Sequence, residues 1–122
     1  MYKSELPINC PPIEVEQQEM SLYRLITPDD LFESFKNHVE LDDENLAYKT
    51  NCKAYALSFF DNIKEVKSLL DKENNEGKSI AKVKIKKEYG VLSKKPSKKG
   101  HFSLWLYTSF NPSDVTFELI QI

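Results

Sequence analysis

Two stretches of this chain alternate apolar and polar residues without a break, and a period of two belongs to extended strands. Within residues 79–86, Ala81, Val83 and Ile85 face one way and Lys82, Lys84 and Lys86 the other. Within residues 101–107, Phe102, Leu104 and Leu106 alternate with His101, Ser103, Trp105 and Tyr107. Strands with one apolar and one polar face belong to antiparallel sheets with one side wet, because parallel strands are buried on both faces. Leu104 is therefore expected in the core.

The other elements follow from local signals. Residues 20–26 read as a first strand. Thr27-Pro28-Asp29-Asp30 then opens a helix with Thr27 as cap, running to about Val39. Residues 40–50 form an acidic connection, and Cys52–Phe60 reads as a second strand. Asn62 with Glu65 marks a second capping box, and Ile63, Val66, Leu69 and Leu70 follow at helical spacing. Asn111-Pro112-Ser113-Asp114 is a turn before a last strand at Val115–Ile122. Residues 1–19 hold Pro7, Pro11 and Pro12, which exclude a helix or central strand there, and read as an extended acidic arm. The expected fold class is α+β: a single domain over residues 20–122, with a mainly antiparallel sheet of about five strands, two helices and the arm at 1–19.

Charge is segregated. Residues 1–46 carry 11 acids against Lys3, Arg24 and Lys36, and residues 78–99 carry nine lysines against Glu88. Such polarity suits a protein partner. The nucleic-acid reading is the weaker one, because the net charge is −2 and no recognition motif accompanies the lysines. No apolar run is long enough to span a membrane. Cys10 and Cys52 make no disulfide framework or metal spacing, so free thiols in the cytoplasm and no metal are expected.

Arg24 is the one arginine among 17 basic residues, and it lies inside the apolar run Leu22-Tyr23-Arg24-Leu25-Ile26. A planar guanidinium there calls for an anion that can take two parallel hydrogen bonds. That anion is either a ligand or one of the chain's own carboxylates, Glu118 being the candidate. Ser58 lacks the glycines of a nucleophile elbow, so a serine hydrolase is not expected, and a buried serine bonding a neighbouring backbone is. His101 opens the strand that carries Trp105.

The order Leu22-Tyr23-Arg24, Ala56-Leu57-Ser58-Phe59 and Thr116-Phe117-Glu118 resembles the arginine, serine, glutamate order of the ADP-ribosyltransferase superfamily, including compact bacterial toxin domains of the RES type. The resemblance implies NAD as substrate. Arg24 would hold the dinucleotide, Ser58 would shape the nicotinamide pocket, and Glu118 would support the transition state, with Tyr23 or Trp105 stacking and His101 close by. The expected function is an ADP-ribosyltransferase-like or NAD-cleaving bacterial or phage protein. The alternative is a non-catalytic interaction module, a phage or mobile-element accessory or an immunity-type protein.

Overall fold

A computed structural model describes residues 1–42, 44, 49–72 and 75–121. Its frame is one antiparallel sheet of seven strands: β1 (Val15–Glu16), β2 (Met20–Ile26), β3 (Leu57–Phe60), β4 (Ser79–Ile85), β5 (Gly90–Ser93), β6 (His101–Leu106) and β7 (Phe117–Ile120). Their order across the sheet is β1-β5-β6-β3-β2-β4-β7. Three helices are seen among the described residues: α1 (Leu31–Ser34), α2 (His38–Leu41) and α3 (Ile63–Leu70). None is long and apolar enough to cross a membrane.

The α+β class and antiparallel pairing agree with the sequence reading, while the element counts differ for local reasons. The helix expected to run to Val39 is broken. Asp30, not Thr27, caps α1 by accepting from the Glu33 backbone N–H at 3.1 Å. Asn37 then caps α2 in a reciprocal box with Glu40 (2.8 and 3.0 Å). The amide of Asn37 also donates to Tyr55 O at 3.2 Å, so tertiary contacts favour a cap where helix continuation was expected. Cys52–Tyr55 is a 3-10 turn rather than strand, its first N–H groups met by Asn51. The last strand is seen at Phe117–Ile120, after a 3-10 turn at Pro112–Asp114 where the turn was expected; residue 122 of the expected span lies outside the described residues. The acidic connection falls partly at 43 and 45–48, outside the described residues. Helix α3 begins where expected, with Asn62 Oδ1 accepting from the Glu65 N–H at 3.1 Å.

One sheet face carries the main core: Leu22 and Ile26 of β2, Leu57 and Phe59 of β3, Ala81, Val83 and Ile85 of β4, and Phe102, Leu104 and Leu106 of β6. Phe35 and Tyr89 close over it, with Phe110 stacked edge-on against both rings. The expectation that the opposite face is wet holds for Lys82 and Lys84 but fails at β6, where Ser103 and Trp105 are also buried. The N-terminal arm covers that side. Lys3 N–H donates to Leu106 O at 2.9 Å, and Thr108 N–H to Met1 O at 2.8 Å. Further along, β1 pairs with β5. Tyr2, Leu6, Cys10 and Val15 thereby pack around Ala56, Val91 and Trp105 as a second core.

Cys10 and Cys52 are joined in a disulfide, with Cα atoms 5.5 Å apart. This corrects the expectation of free thiols, and with it the argument for the cytoplasm that rested on them. The partners are 42 residues apart in sequence, and only the path of the arm over β6 brings them together.

Two consequences are measurable by urea unfolding. Leu104→Ala, at a site 1% exposed, is expected to cost roughly 2–5 kcal/mol. Breaking the disulfide by Cys10→Ser with Cys52→Ser releases a long loop in the unfolded chain, worth about 4 kcal/mol on the chain-entropy scale. An unchanged midpoint in either case contradicts the packing described.

Candidate functional site

Strand β2 pairs with β4 over its whole length but shares a single residue pair with β3, Tyr23↔Phe60. Beyond that pair the two central strands part, and the side chain of Arg24 fills the opening. Its Nη1 donates to Ser58 O of β3 at 2.8 Å. Nε and Nη2 both donate to Ser34 O at the end of α1, at 3.2 and 2.9 Å. Ser34 is itself anchored, its hydroxyl donating toward Thr27 O and Asp30 O and accepting from the Thr27 N–H. The Arg24 guanidinium carbon lies 5.9 and 5.5 Å from the ring centres of Phe35 and Phe59, distances at which aromatic faces attract cations. A charged side chain alternating with Leu22 and Ile26 thus enters the core side of the sheet and stitches strand to helix.

Burial lowers the pKa of Arg24 to about 10, and among the described residues no carboxylate offsets it. The residue as a whole keeps some accessible surface, but its guanidinium is desolvated. Glu118 is not its partner. The register aligns Arg24 with Ala81 and Ala81 with Leu119, so Arg24 and Glu118 point to opposite faces of the sheet. Glu118 is exposed and stands across from Lys82. Tyr23 shares the Glu118 face, away from the guanidinium.

The parted strands open a cavity of ≈ 330 Å³. Arg24, Lys36, His38, Ser58, Asn75 and Lys78 supply its polar wall, and Leu25, Leu57, Val66 and Leu69 its apolar one. Among the described residues no Asp or Glu lines it. A smaller neighbouring cavity of ≈ 240 Å³ shares Arg24, Lys36 and Lys78 and adds Glu33. Glu33 pairs with Lys36 at 3.0 Å and raises the pKa of that ammonium.

Ser58 also faces the next cavity, ≈ 300 Å³, which it lines with His38, Asn51, Lys53, His101 and Ser103. Its Oγ lies 2.9 Å from His101 Nε2. His101 Nδ1 lies 3.4 Å from Ser97 Oγ, and Phe60 packs edge-on against the imidazole at 5.2 Å. The loop before β6 fixes this ring. Gly100 adopts φ +76° and abuts the Asp61 carboxyl so closely that a Cβ would overlap it, while Asp61 N–H donates to Gly100 O at 3.0 Å. Burial, and secondarily the charge of Lys53, lower the His101 pKa.

Trp105 is 2% exposed and donates from Nε1 to Cys52 O at 3.1 Å, which makes it chiefly a packing residue under the arm. It borders a cavity of ≈ 420 Å³ between the arm and the loop after β5, rimmed by Lys53, Lys94 and Lys95 and shared with His101. Among the described residues no cluster of three or more His, Cys, Asp or Glu is placed to hold a metal.

The structure therefore brings the Arg24 guanidinium to the Ser58 carbonyl at the seam of β2 and β3, and His101 to the Ser58 hydroxyl. It carries Trp105 on the His101 strand, sets Tyr23 on the sheet face of Phe60 and His101, and leaves Glu118 exposed across from Lys82. Lys36, Lys53, Lys78 and Ser97 escape sequence reasoning. The one local signal for Lys36 was the Asn37–Glu40 capping pair, which ends the preceding helix beside it. No family model, curated protein or solved structure matches this chain.

Because Arg24 and Glu118 share no partner, a double-mutant cycle of Arg24→Lys and Glu118→Ala should show coupling below about 0.5 kcal/mol. Arg24→Lys alone should destabilise by roughly 1–3 kcal/mol for each buried carbonyl it leaves unmet. Strong coupling would contradict the register.

A pH series tests His101. Its folded pKa is lowered, so the unfolded chain takes up the proton first as pH falls through about 6.5. Stability should drop there, and His101→Gln should flatten that part of the curve. An identical slope in both proteins would place His101 in solvent.

Proposed function

We propose that the protein binds a small phosphate-bearing anion in the cavity between β2 and β3. The observation that carries this reading is Arg24: a desolvated guanidinium with no carboxylate partner among the described residues, facing a cavity that also presents Lys36 and Lys78. Burying a charge without a counter-charge is costly. Carbonyl hydrogen bonds satisfy part of its donor capacity but neutralise none of its charge. A guanidinium has five N–H groups, and the three bonds to Ser34 and Ser58 leave one on each terminal nitrogen outside them. Two ammonium groups beside it suit the spread charge of a phosphoryl oxygen set. The volume falls at the lower end of the range for small-ligand pockets, roughly 300–1,000 Å³. It suits the phosphoryl part of a nucleotide better than a whole dinucleotide. NAD remains a ligand to test, without a catalytic role assigned to Glu118.

The experiment is a set of thermal melts with pyrophosphate, ADP and NAD, and with succinate as a non-phosphate dianion. A phosphate-bearing ligand at 100 times its Kd should stabilise by about 2.7 kcal/mol. Lys78→Glu, at an exposed position, should melt like wild type without ligand and lose the ligand-induced shift. No shift with any phosphate compound at millimolar concentration would overturn the proposal.

A second reading, a protein-interaction module, is supported by the exposed loop at residues 94–99. Its Lys94 and Lys95 border the Trp105 cavity. Binding of an acidic peptide that weakens with salt and is lost in Lys94→Glu with Lys95→Glu would favour it over the small-anion reading.

A further inference from the structure

We propose that Ser58 is a nucleophile activated by His101, so that the seam forms an acyl-transfer site for small esters. That the preferred ester carries an anionic group rests on the cavity reading above; the nucleophile itself does not. Ser58 and His38 both line the cationic cavity and the His101 cavity, and of the two it is Ser58 that touches His101, which sets this serine between a binding pocket and a base.

The geometry meets the requirements of a nucleophile–base pair: heavy atoms within hydrogen-bond reach, and the base oriented by a further group. Ser58 Oγ is 2.9 Å from His101 Nε2. With the His101 proton on Nδ1, Nε2 accepts from Ser58 while Nδ1 donates toward Ser97 Oγ at 3.4 Å. The Ser97 hydroxyl is free to accept because its own proton is directed at His101 O, 3.3 Å away. Phe60 and the Gly100 turn prevent the ring from swinging out. Ser58 is held from behind, since its carbonyl accepts from Arg24 and its strand pairs with β6 across Ser58↔Ser103. Serine here needs no strand-to-helix elbow. The parting of β2 from β3 already exposes the strand on the side where an elbow would otherwise be required.

In the proposed step Ser58 Oγ attacks the carbonyl carbon of an ester and its proton passes to His101 Nε2. The C–O bond to the alcohol breaks, and that alcohol leaves with the proton from His101. The acyl group stays on Ser58 until a water attacks its carbonyl carbon, giving a proton to the same nitrogen; the bond to Ser58 Oγ breaks, His101 returns that proton to Oγ, and a carboxylic acid leaves. Lys53 lines this cavity and supplies positive potential where the oxyanion develops.

The test uses a neutral probe, so that it does not depend on anion binding. The folded protein is treated with diisopropyl fluorophosphate and the adduct located by peptide mass mapping. Attack by Ser58 forms an O–P bond, expels fluoride and passes the proton to His101. The expected result is one adduct on Ser58, absent from Ser58→Ala. Loss of a general base lowers such rates by roughly 10²–10⁴-fold, so labelling should slow by at least that lower factor in His101→Gln. His101→Ala should recover labelling when imidazole is added, which a purely structural histidine would not show. No adduct on Ser58 in the wild type, or equal labelling in His101→Gln, overturns the proposal. The melts with pyrophosphate are read separately: a phosphate shift without labelling removes the nucleophile alone, and labelling without a shift removes the anionic preference alone.

Discussion

The opening between β2 and β3 is where the rest of the molecule is decided. Two central strands of an antiparallel sheet ordinarily close along their length, each carbonyl meeting an N–H across the gap. Here one residue pair is made, and a side chain replaces the backbone partners that follow. Arg24 suits this task better than lysine, because its planar fork can reach Ser58 on one side and Ser34 on the other at the same time. Without it, Ser58 O would face a low-dielectric gap, and α1 would lose its tie to the sheet. The break between α1 and α2 is part of the same arrangement. A helix continued through Asn37 could not also give that amide to Tyr55, nor turn Lys36 and His38 toward the cavity.

Much of this fold can be read from the sequence where the determinants are local. The alternation at Ala81–Lys86 and at His101–Tyr107 identifies β4 and β6, and Asn62 with Glu65 identifies the start of α3. What escapes is set by long-range pairing. The polar face of β6 contains Ser103 and Trp105, and only the arm crossing from the other end of the chain explains their burial. The same crossing joins two cysteines whose spacing carries no signal. For the site, an arginine in an apolar run was a sound indication that Arg24 is unusual. Its partners could not be read, because they are backbone carbonyls and any residue type has one. The placement of Glu118 was also hidden. A period-two pattern gives the face of a residue only within its own strand, and relating Arg24 to Glu118 requires the register of β2 on β4 and of β4 on β7.

Among the described residues, charge segregation along the chain does not translate into ion pairs between its acidic and basic parts. The arm's Lys3 pairs with Glu40 at 3.3 Å, and Lys36 pairs with Glu33 within the acidic half; neither joins the acidic half to the lysines of 78–99. Those lysines line the wet part of β4 and the loop before β6, and Lys53 and Lys78 extend the cationic surface to both sides of Ser58. A ligand approaching the seam would meet positive potential before any contact is made.

The bond between Cys10 and Cys52 closes the intervening chain into a covalent ring, and β1, β2, α1 and α2 all belong to it. Strand β2, which holds β3 on one side and β4 on the other, is thus tethered at both ends of the ring rather than by the linear chain alone. A protease that cuts once anywhere between the two cysteines leaves both pieces connected. The severed ends remain beside the surfaces they already pack against, so a nick in this half of the molecule need not dismantle the sheet. A cut in the open segment after Cys52 carries no such protection. The closed ring and the longer open segment that follows it differ in how much backbone damage they can absorb.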